Sequence, residues 1–594
     1  MRFRLLRLRF RRRLHVEERR AEDLSQQAEV GIEKYVFKRI GRLHKVRRFI
    51  AAWAALLLIA IIGTLGQNYL LSDYFQTLRP VPGGIYNEGL VGTFTTANPI
   101  YAVNDVDMTV SRLIFAPLFN YDSNNQLAGD LASSYSVNSI GNVYTVHLKP
   151  NLTWQDGTPL TSKDVVFTYN LIENPNAQSP LFNSWQGVTV SAQGPSTVVF
   201  NLPSTLASFP QFLTGGILPE HLLDTIPASE MRSATFNSQD PVGSGPFSWQ
   251  AISVSGNDPS NATEQIVLSP FDNFVGGKPK LQQFVLHAYA NQSQLRAAFT
   301  SGQLNGAEGF SNNPPAQIAN MKNVEIHNYL LTAGIYSFFK TSSGILSDPA
   351  IRSALVQSVN VPNIISNLSY PTHEVNEPLL EGQLGYNPAY RQPGYNLAAA
   401  KNILNQDGWT VGAAGIRYKA GQQLTFSLTA SNSSSYIQLA NQLISYWKQL
   451  GVNVNLVTED PSDFSNVLQS HDYQAVLYGV SIGVDPDVYV YWDSSQAQAN
   501  APSRLNLSEW SNTKADSSLE EGRTRLDPNT RVVAYQDLLS AWQQDSPALG
   551  LYQPRLLYVT NGPVFGLNGN TVNSNTDRFN NVQNWEIDEA KVTD

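Results

Sequence analysis

From Phe49 to Leu71 the chain runs for 23 residues without a charge (FIAAWAALLLIAIIGTLGQNYLL). A helix of that length crosses a hydrocarbon core of about 30 Å, so the segment divides everything before it from everything after it. Arg47 and Arg48 abut one end and Asp73 lies beyond the other. The positive-inside rule then places residues 1–48 in the cytoplasm and the chain after about Ser72 outside the membrane. Charge follows the same division. Residues 1–48 carry 16 Lys and Arg against 6 Asp and Glu, a net of +10, and since the whole chain is at −8 the remainder stands at −18. A cleaved signal peptide is the competing reading, but the positive region is too long for one, the apolar run is too long, and no A-x-A-like site follows. The flanking arginines oppose a buried core helix. The expectation is one uncleaved anchor, with residues 49–71 as the span. The arm itself (MRFRLLRLRFRRRL) alternates Arg with Leu and Phe. Nucleic-acid binding is conceivable for such a tract, but adhesion to anionic lipid beside a span is the cheaper explanation. No nucleic-acid partner is expected.

With 594 residues there is material for two to four domain-sized units. The charged fraction is 15%, against roughly 25% in ordinary soluble domains. The absence of cysteine excludes disulfides, thiolate metal sites, Cys nucleophiles and a lipidated N-terminal Cys. Residues 72–84, with Pro80, Pro82, Gly83 and Gly84, read as a linker. Beyond it, strand-like and helix-like segments alternate with no repeat of 20–50 residues.

The stretch Asn142–Phe167 shows the grain of this region. Tyr144, Val146 and Leu148 alternate with Thr145 and His147 as in a half-buried strand. Turn chemistry follows at Pro150-Asn151 and Gln155-Asp156-Gly157, and Leu152–Trp154 reads as a short returning strand. Thr161 and Asp164 form a capping box that opens a helix. Other strands are expected at Val198–Leu202 and Tyr473–Gly479, and helices at Gln292–Thr300 and Asp348–Val359. In Ile437–Val457, a helical stripe of Ile437, Ala440, Ile444 and Trp447 ends at Gly451, and Val452, Val454 and Leu456 then alternate as a strand. The class is α/β with more than one sheet.

Enzymatic motifs are few. Gly479-Val480-Ser481-Ile482-Gly483 matches the G-x-S-x-G nucleophile elbow. That fold needs an acid and then a His after the Ser, whereas all eight histidines precede Ser481 and the last is His471. Pro486 also opposes an immediate helix. Two S-x-x-K matches, at Ser511–Lys514 and Ser445–Lys448, lack K-T-G or S-D-N partners. Scattered histidines give no zinc pattern, and neither Walker A nor G-x-G-x-x-G occurs. No catalytic residue, cofactor or metal site is expected.

Several segments carry a family resemblance. Asn142–Phe167 resembles, spacing included, a signature of the family 5 extracytoplasmic solute-binding proteins. Leu127–Tyr135 resembles their P-x-LA-x-SW segment, Gly243–Phe247 their G-T-G-P-Y, and Leu346–Leu355 their D-x-x-x-R-x-A-L helix. Asn396–Trp409, Gln449–Val454 and Arg531–Tyr552 resemble later helices and strands of the same family, so the likeness runs through nearly all of residues 85–566. It implies a two-lobed periplasmic-binding-protein-like clamshell with an extra subdomain. Lobe I would be 85–328 with the subdomain at about 118–238, lobe II 329–548, and 549–594 a return to lobe I. Function would be capture of a peptide, nickel complex or oligosaccharide between the lobes for an ABC permease and its ATPase, by hinge closure.

In peptide-binding members an Asp in A-D-Y-x-D-P holds the ligand's amino terminus; here the matching run is Ser481–Pro486, with Ile482 in that place. Arg positions of some oligopeptide binders resemble Leu468 and Leu477 here. A buried ligand charge without a partner costs several kcal/mol, so the resemblance favours an uncharged ligand, a sugar, or a long peptide whose ends lie outside. By position, candidate ligand-binding residues are Thr93, Phe94, Thr95 (and Thr96), Tyr336, Tyr478, Asp485, Asp487, Trp492 and Trp510, where core packing explains any single aromatic equally well. Rivals are an extracytoplasmic hydrolase using Ser481 and a sensor ectodomain, although 48 basic residues cannot form a sizeable signalling domain.

Overall fold

The computed structural model describes residues 47–593 except 257, 311–314, 502, 568 and 570. The basic arm, but for Arg47 and Arg48, lies outside the described residues. The chain divides into two compact units. The first holds the helix Arg47–Phe75, whose described side chains are exposed. At 1.5 Å per residue its 29 residues extend for about 43 Å, and Arg47–Gln67 has a mean hydropathy of 2.4. The expected linker is more ordered than its prolines suggest: the helix continues to Phe75, and the strand Gln76–Val81 then pairs with the C-terminal strand Asp588–Thr593. Proline is tolerated there because a two-stranded ribbon is all edge.

The second unit, residues 80–588, is built on three main sheets. An eight-stranded sheet takes strands from both ends of the unit, in the order Thr571–Val572, Val324–Leu331, Arg555–Asn561, Gly306–Glu308, Ile85–Val91, Gln283–Tyr289, Thr263–Pro270 and Phe247–Ser255. A five-stranded sheet runs Asn453–Glu459, Thr425–Ser431, Ala475–Ser481, Ala333–Phe339, Ala548–Gly550. The third is an antiparallel four-stranded sheet, Ala132–Val137, Val143–Leu148, Thr197–Asn201 and Thr189–Ala192, backed by the helix Ser162–Glu173. Its core is continuous with one face of the eight-stranded sheet. The five-stranded sheet buries separate apolar cores.

The large sheets are joined by two chain passages. Val324–Leu331 passes through Thr332 into Ala333–Phe339, and Ala548–Gly550 passes through Leu551–Pro554 into Arg555–Asn561. The passages run side by side: Leu331 N–H donates to Pro554 O (3.0 Å), Ile335 N–H to Tyr552 O (3.0 Å), and Leu551 N–H to Ile335 O (2.9 Å). Two adjacent short strands between separately cored lobes are the geometry of a hinge.

Local sequence logic is visible in the pieces. The Thr161–Asp164 capping box forms and opens the helix Ser162–Glu173. Gly451 ends the helix Ser434–Leu450 in the left-handed region (φ 92°), where a side chain would be strained. That helix buries Leu439, Ala440, Leu443, Trp447 and Leu450, so its stripe is rotated from the expected one and leaves Ile437 and Ile444 only half-buried. The strand expected at Leu152–Trp154 reduces to a single bridge from Thr153 to Pro159.

Candidate functional site

The strand Ala475–Ser481 ends at Ser481 and gives way to an irregular loop, not a helix, so the nucleophile elbow that Ser481 would need is not formed. The loop is instead fastened to the hinge. Ile482 and Gly483 N–H both donate to Thr332 O (2.9 and 3.0 Å), and Ile482 is buried in a lobe core. Gly483 sits at φ 81°, which a side chain would resist, and its carbonyl accepts from Gln383 Nε2 (2.7 Å).

Two acidic groups follow, and each is already held by an arginine. The Asp485 carboxylate accepts two bonds from Arg531, at 2.7 Å from Nη1 and 2.5 Å from Nη2. The two side chains are 13% and 7% exposed. Asp487 lies 3.3 Å from Arg523 Nε and accepts from Ser208 Oγ at 3.0 Å. Burial pushes the Asp487 carboxyl above the usual range, while Arg523 pulls it back.

Ser208 belongs to the segment that carries the four-stranded sheet, and Asp487 to the five-stranded lobe, so this bond spans the lobes. Two more do the same: Asp485 N–H donates to Gln211 Oε1 (3.3 Å), and Ala207 N–H to Arg523 O (2.9 Å). Together these contacts form a clasp between the lobes, on the loop that Thr332 holds to the hinge strands.

A cavity of about 470 Å³ opens beside the clasp. Asn124, Asn125, Gln126 and Gln211 line it from the first lobe, Leu380–Leu384 and Gly483–Pro486 from the second, and Thr332 and Gln553 from the hinge. At its edge Asn573 ties the first lobe to the hinge: its Nδ2 donates to Asn125 Oδ1 (2.7 Å), and its Oδ1 accepts from Thr332 Oγ1 (2.6 Å). The walls are rich in amides and backbone. Asp485 is neutralised by Arg531, and Glu381 lies 3.4 Å from His373. Such a lining offers hydrogen bonds to uncharged polar groups.

The comparisons with known proteins fit this geometry. Residues 126–501 match the bacterial extracellular solute-binding proteins, family 5 (middle). The chain belongs to that family. Solute capture is therefore the family's work, and its relatives are binding proteins. The oligopeptide-binding protein AppA of Bacillus subtilis (strain 168) is 24% identical over 493 residues, covering 80% of this chain and 87% of that protein. Among solved structures, NikZ from Campylobacter jejuni in complex with Ni(L-His) superposes with a TM-score of 0.70 at 23% identity, covering 84% of this chain and 99% of that one. AppA from Bacillus subtilis in complex with a nonapeptide gives 0.66 at 22%, covering 86% and 100%. The two-lobed α/β binding-protein fold expected from the sequence is the one this family adopts.

The structure separates the expected site residues into four groups. Asp485 lines the shared cavity and Asp487 stands at the clasp. Tyr336, Trp492 and Trp510 are 0%, 1% and 2% exposed and pack together in the second lobe, with Trp492 edge-on to Tyr336 (5.8 Å) and to Trp510 (6.4 Å). Tyr336 Oη donates to Glu377 O and Trp510 Nε1 to Asp545 Oδ2, so their polar ends are consumed inside the core. Tyr478 is half-buried, its ring 6.0 Å from Phe464. Thr93–Thr95 follow the strand Ile85–Val91 and are not among the walls of that cavity. Phe94 stacks near Trp249 (5.6 Å), Thr95 donates from N–H and Oγ1 to Asp107, and Thr93 is exposed. Sequence reasoning missed Asn124–Gln126, Gln211 and Gln383. Their only signal is the Asp-Ser-Asn-Asn turn at 122–125, a loop pattern with no ligand chemistry of its own.

Proposed function

We propose that the chain is a membrane-anchored solute-binding protein that captures an uncharged or end-blocked ligand between its lobes and hands it to an ABC permease. The carrying observation is the cavity walled by both lobes beside a two-strand hinge, lined mainly by amides and backbone, with the Asp485 carboxylate already neutralised by Arg531. Closure would be stabilised by whatever contacts the ligand makes only in the closed form. Names of relatives support the class: one is an oligopeptide-binding protein, and another is a nickel-binding periplasmic protein of Escherichia coli.

The ligand reading turns on charge. A site holding an ammonium with a dedicated carboxylate loses most of its affinity when the charge is blocked, whereas an amide-lined site does not. A peptide that binds is therefore expected to bind within about threefold when its ends are acetylated and amidated. Calorimetric titration of both forms decides this, and a loss of tenfold or more on blocking would refute it. An alternative in which Ser481 acts as a hydrolase nucleophile has no specific observation in its favour.

The anchor reading rests on the exposed apolar stretch Arg47–Gln67 and the basic residues before it. The protein is expected to stay with the membrane pellet after alkaline carbonate washing and to keep Met1. Release into the supernatant, or a mature form beginning after Leu71, would contradict it.

A further inference from the structure

A second cavity, of about 620 Å³, lies on the other side of the clasp and shares no residue with the first. Its size is in the range of small-molecule sites. Trp185, Leu206, Phe209 and Phe212 form its wall on the four-stranded side; Tyr489 and the end of the helix Thr513–Thr524 form the opposite wall. Of these, Phe212 is partly exposed, so an apolar surface is left facing the cavity.

Its charges are unequal in availability. Arg523 is committed: its guanidinium lies 4.5 Å over the Tyr489 ring and its Nε stands 3.3 Å from Asp487. Arg525, Glu520 and Glu521 are exposed at the rim. With Arg523 neutralised, two carboxylates stand against one cation, and the rim is acidic.

We infer that this cavity is a second ligand site, distinct from the cleft, for a small amine with an aromatic or branched apolar body. The body would replace water against Phe212, Leu206 and Tyr489, which keep exposed surface on the lining, and the ammonium would face Glu520 and Glu521. Because its two walls come from the two lobes, an occupant contacts both only while the clasp is made. Binding here favours closure, and closure favours binding here, by the same factor. The site goes beyond the capture reading and rests on it only for the closing motion.

The test uses the full chain in nanodiscs with 2-phenylethylamine as probe, followed by calorimetry. Saturable one-to-one binding is expected, weaker by about tenfold for neutral 2-phenylethanol and by more for anionic 3-phenylpropanoate, since two exposed ion pairs are lost. The double variant Glu520→Gln/Glu521→Gln is expected to bring the amine down to the affinity of the alcohol. Ser204→Trp, an exposed position on the lining, is expected to fill the cavity and abolish binding of all three. No saturable binding to the wild type, equal or tighter binding of the anion, or amine binding unchanged in both variants would each overturn the inference. The three-probe series on the wild type stands even if a variant folds poorly, and it does not depend on what the main cleft binds.

Discussion

Arg578→Met is expected to destabilise the large unit by at least about 3–5 kcal/mol, because it leaves buried charge without its partner. Arg578 is fully buried and serves two carboxylates: its Nη2 lies 3.0 Å from Glu88 Oε1 and its Nη1 2.6 Å from Glu308 Oε2. Tyr558 Oη donates to the other Glu88 oxygen (2.7 Å) and meets Tyr86 Oη at 2.5 Å. The cluster also depends on Gly306, where a Cβ would stand 2.2 Å from both tyrosine hydroxyls. Even with the arginine present, two acids share one cation. Burial pushes the Glu308 carboxyl up to about 7, with Arg578 opposing the rise, and Glu88 is raised as well.

The sign of the pH dependence follows. Between the ordinary carboxyl value of 4.5 and about 7, native Glu308 holds a proton that the unfolded chain has released. Its contribution is therefore fully present below the lower value and is lost as pH rises through the upper one. Removing Arg578 takes away the group that lowers both carboxyls, so the window extends upward. The thermal midpoint of Arg578→Met should fall further below wild type at about pH 8 than at about pH 5. A deficit independent of pH, or smaller than about 1 kcal/mol, would show that the cluster does not hold the sheet as described.

Asp485→Ala is expected to cost a similar amount, about 3–5 kcal/mol, by stranding the Arg531 guanidinium. Arg531 has one further strong acceptor, Gly522 O at 2.7 Å, which neutralises nothing. The pairing also fixes the loop that carries Gly483–Pro486 into the cavity wall, so loss of ligand affinity should accompany loss of stability. The control is the double change Asp485→Leu/Arg531→Met. An apolar pair replacing a buried ion pair is often neutral or better, so the double variant should recover most of the stability while ligand affinity stays low. If Asp485→Ala melts with the wild type, or if the double variant is no more stable than the single one, the ion pair does not brace the loop.

How far these features could be read from the chain depends on how far apart their partners lie in sequence. The helix Ser162–Glu173, the helix Gln292–Thr300, and the helix–Gly451–strand unit were legible because capping, periodicity and a left-handed glycine are local. The cluster of Glu88, Glu308 and Arg578 was not. It joins residues 490 positions apart, and although the family resemblance implies that 549–594 returns to lobe I, nothing near Arg578 marks it as the partner of two buried acids. The same holds for Ser208 with Asp487 and for Asn125 with Asn573. Tyr336, Trp492 and Trp510 show a different ambiguity. An aromatic on a strand or loop beside a cleft has the same local pattern whether it faces the ligand or the core, and only the packed sheet assigns these three to the core. Asp485 and Asp487 were placed near the site by their position in the chain, but the arginines that neutralise them come from helices more than 30 residues later, so their lack of free charge could not be foreseen.

The proposal that this chain captures a solute between its lobes is tested most directly by ligand-dependent stability. The full chain in nanodiscs would be melted with and without short peptides (free and end-blocked), oligosaccharides and nickel complexes. At 100 times its Kd a true ligand should add about 2.7 kcal/mol to the folded state and raise the melting temperature in a saturable way, for at least one of the three classes. A melting temperature unmoved by every member of all three classes would contradict capture in the cleft.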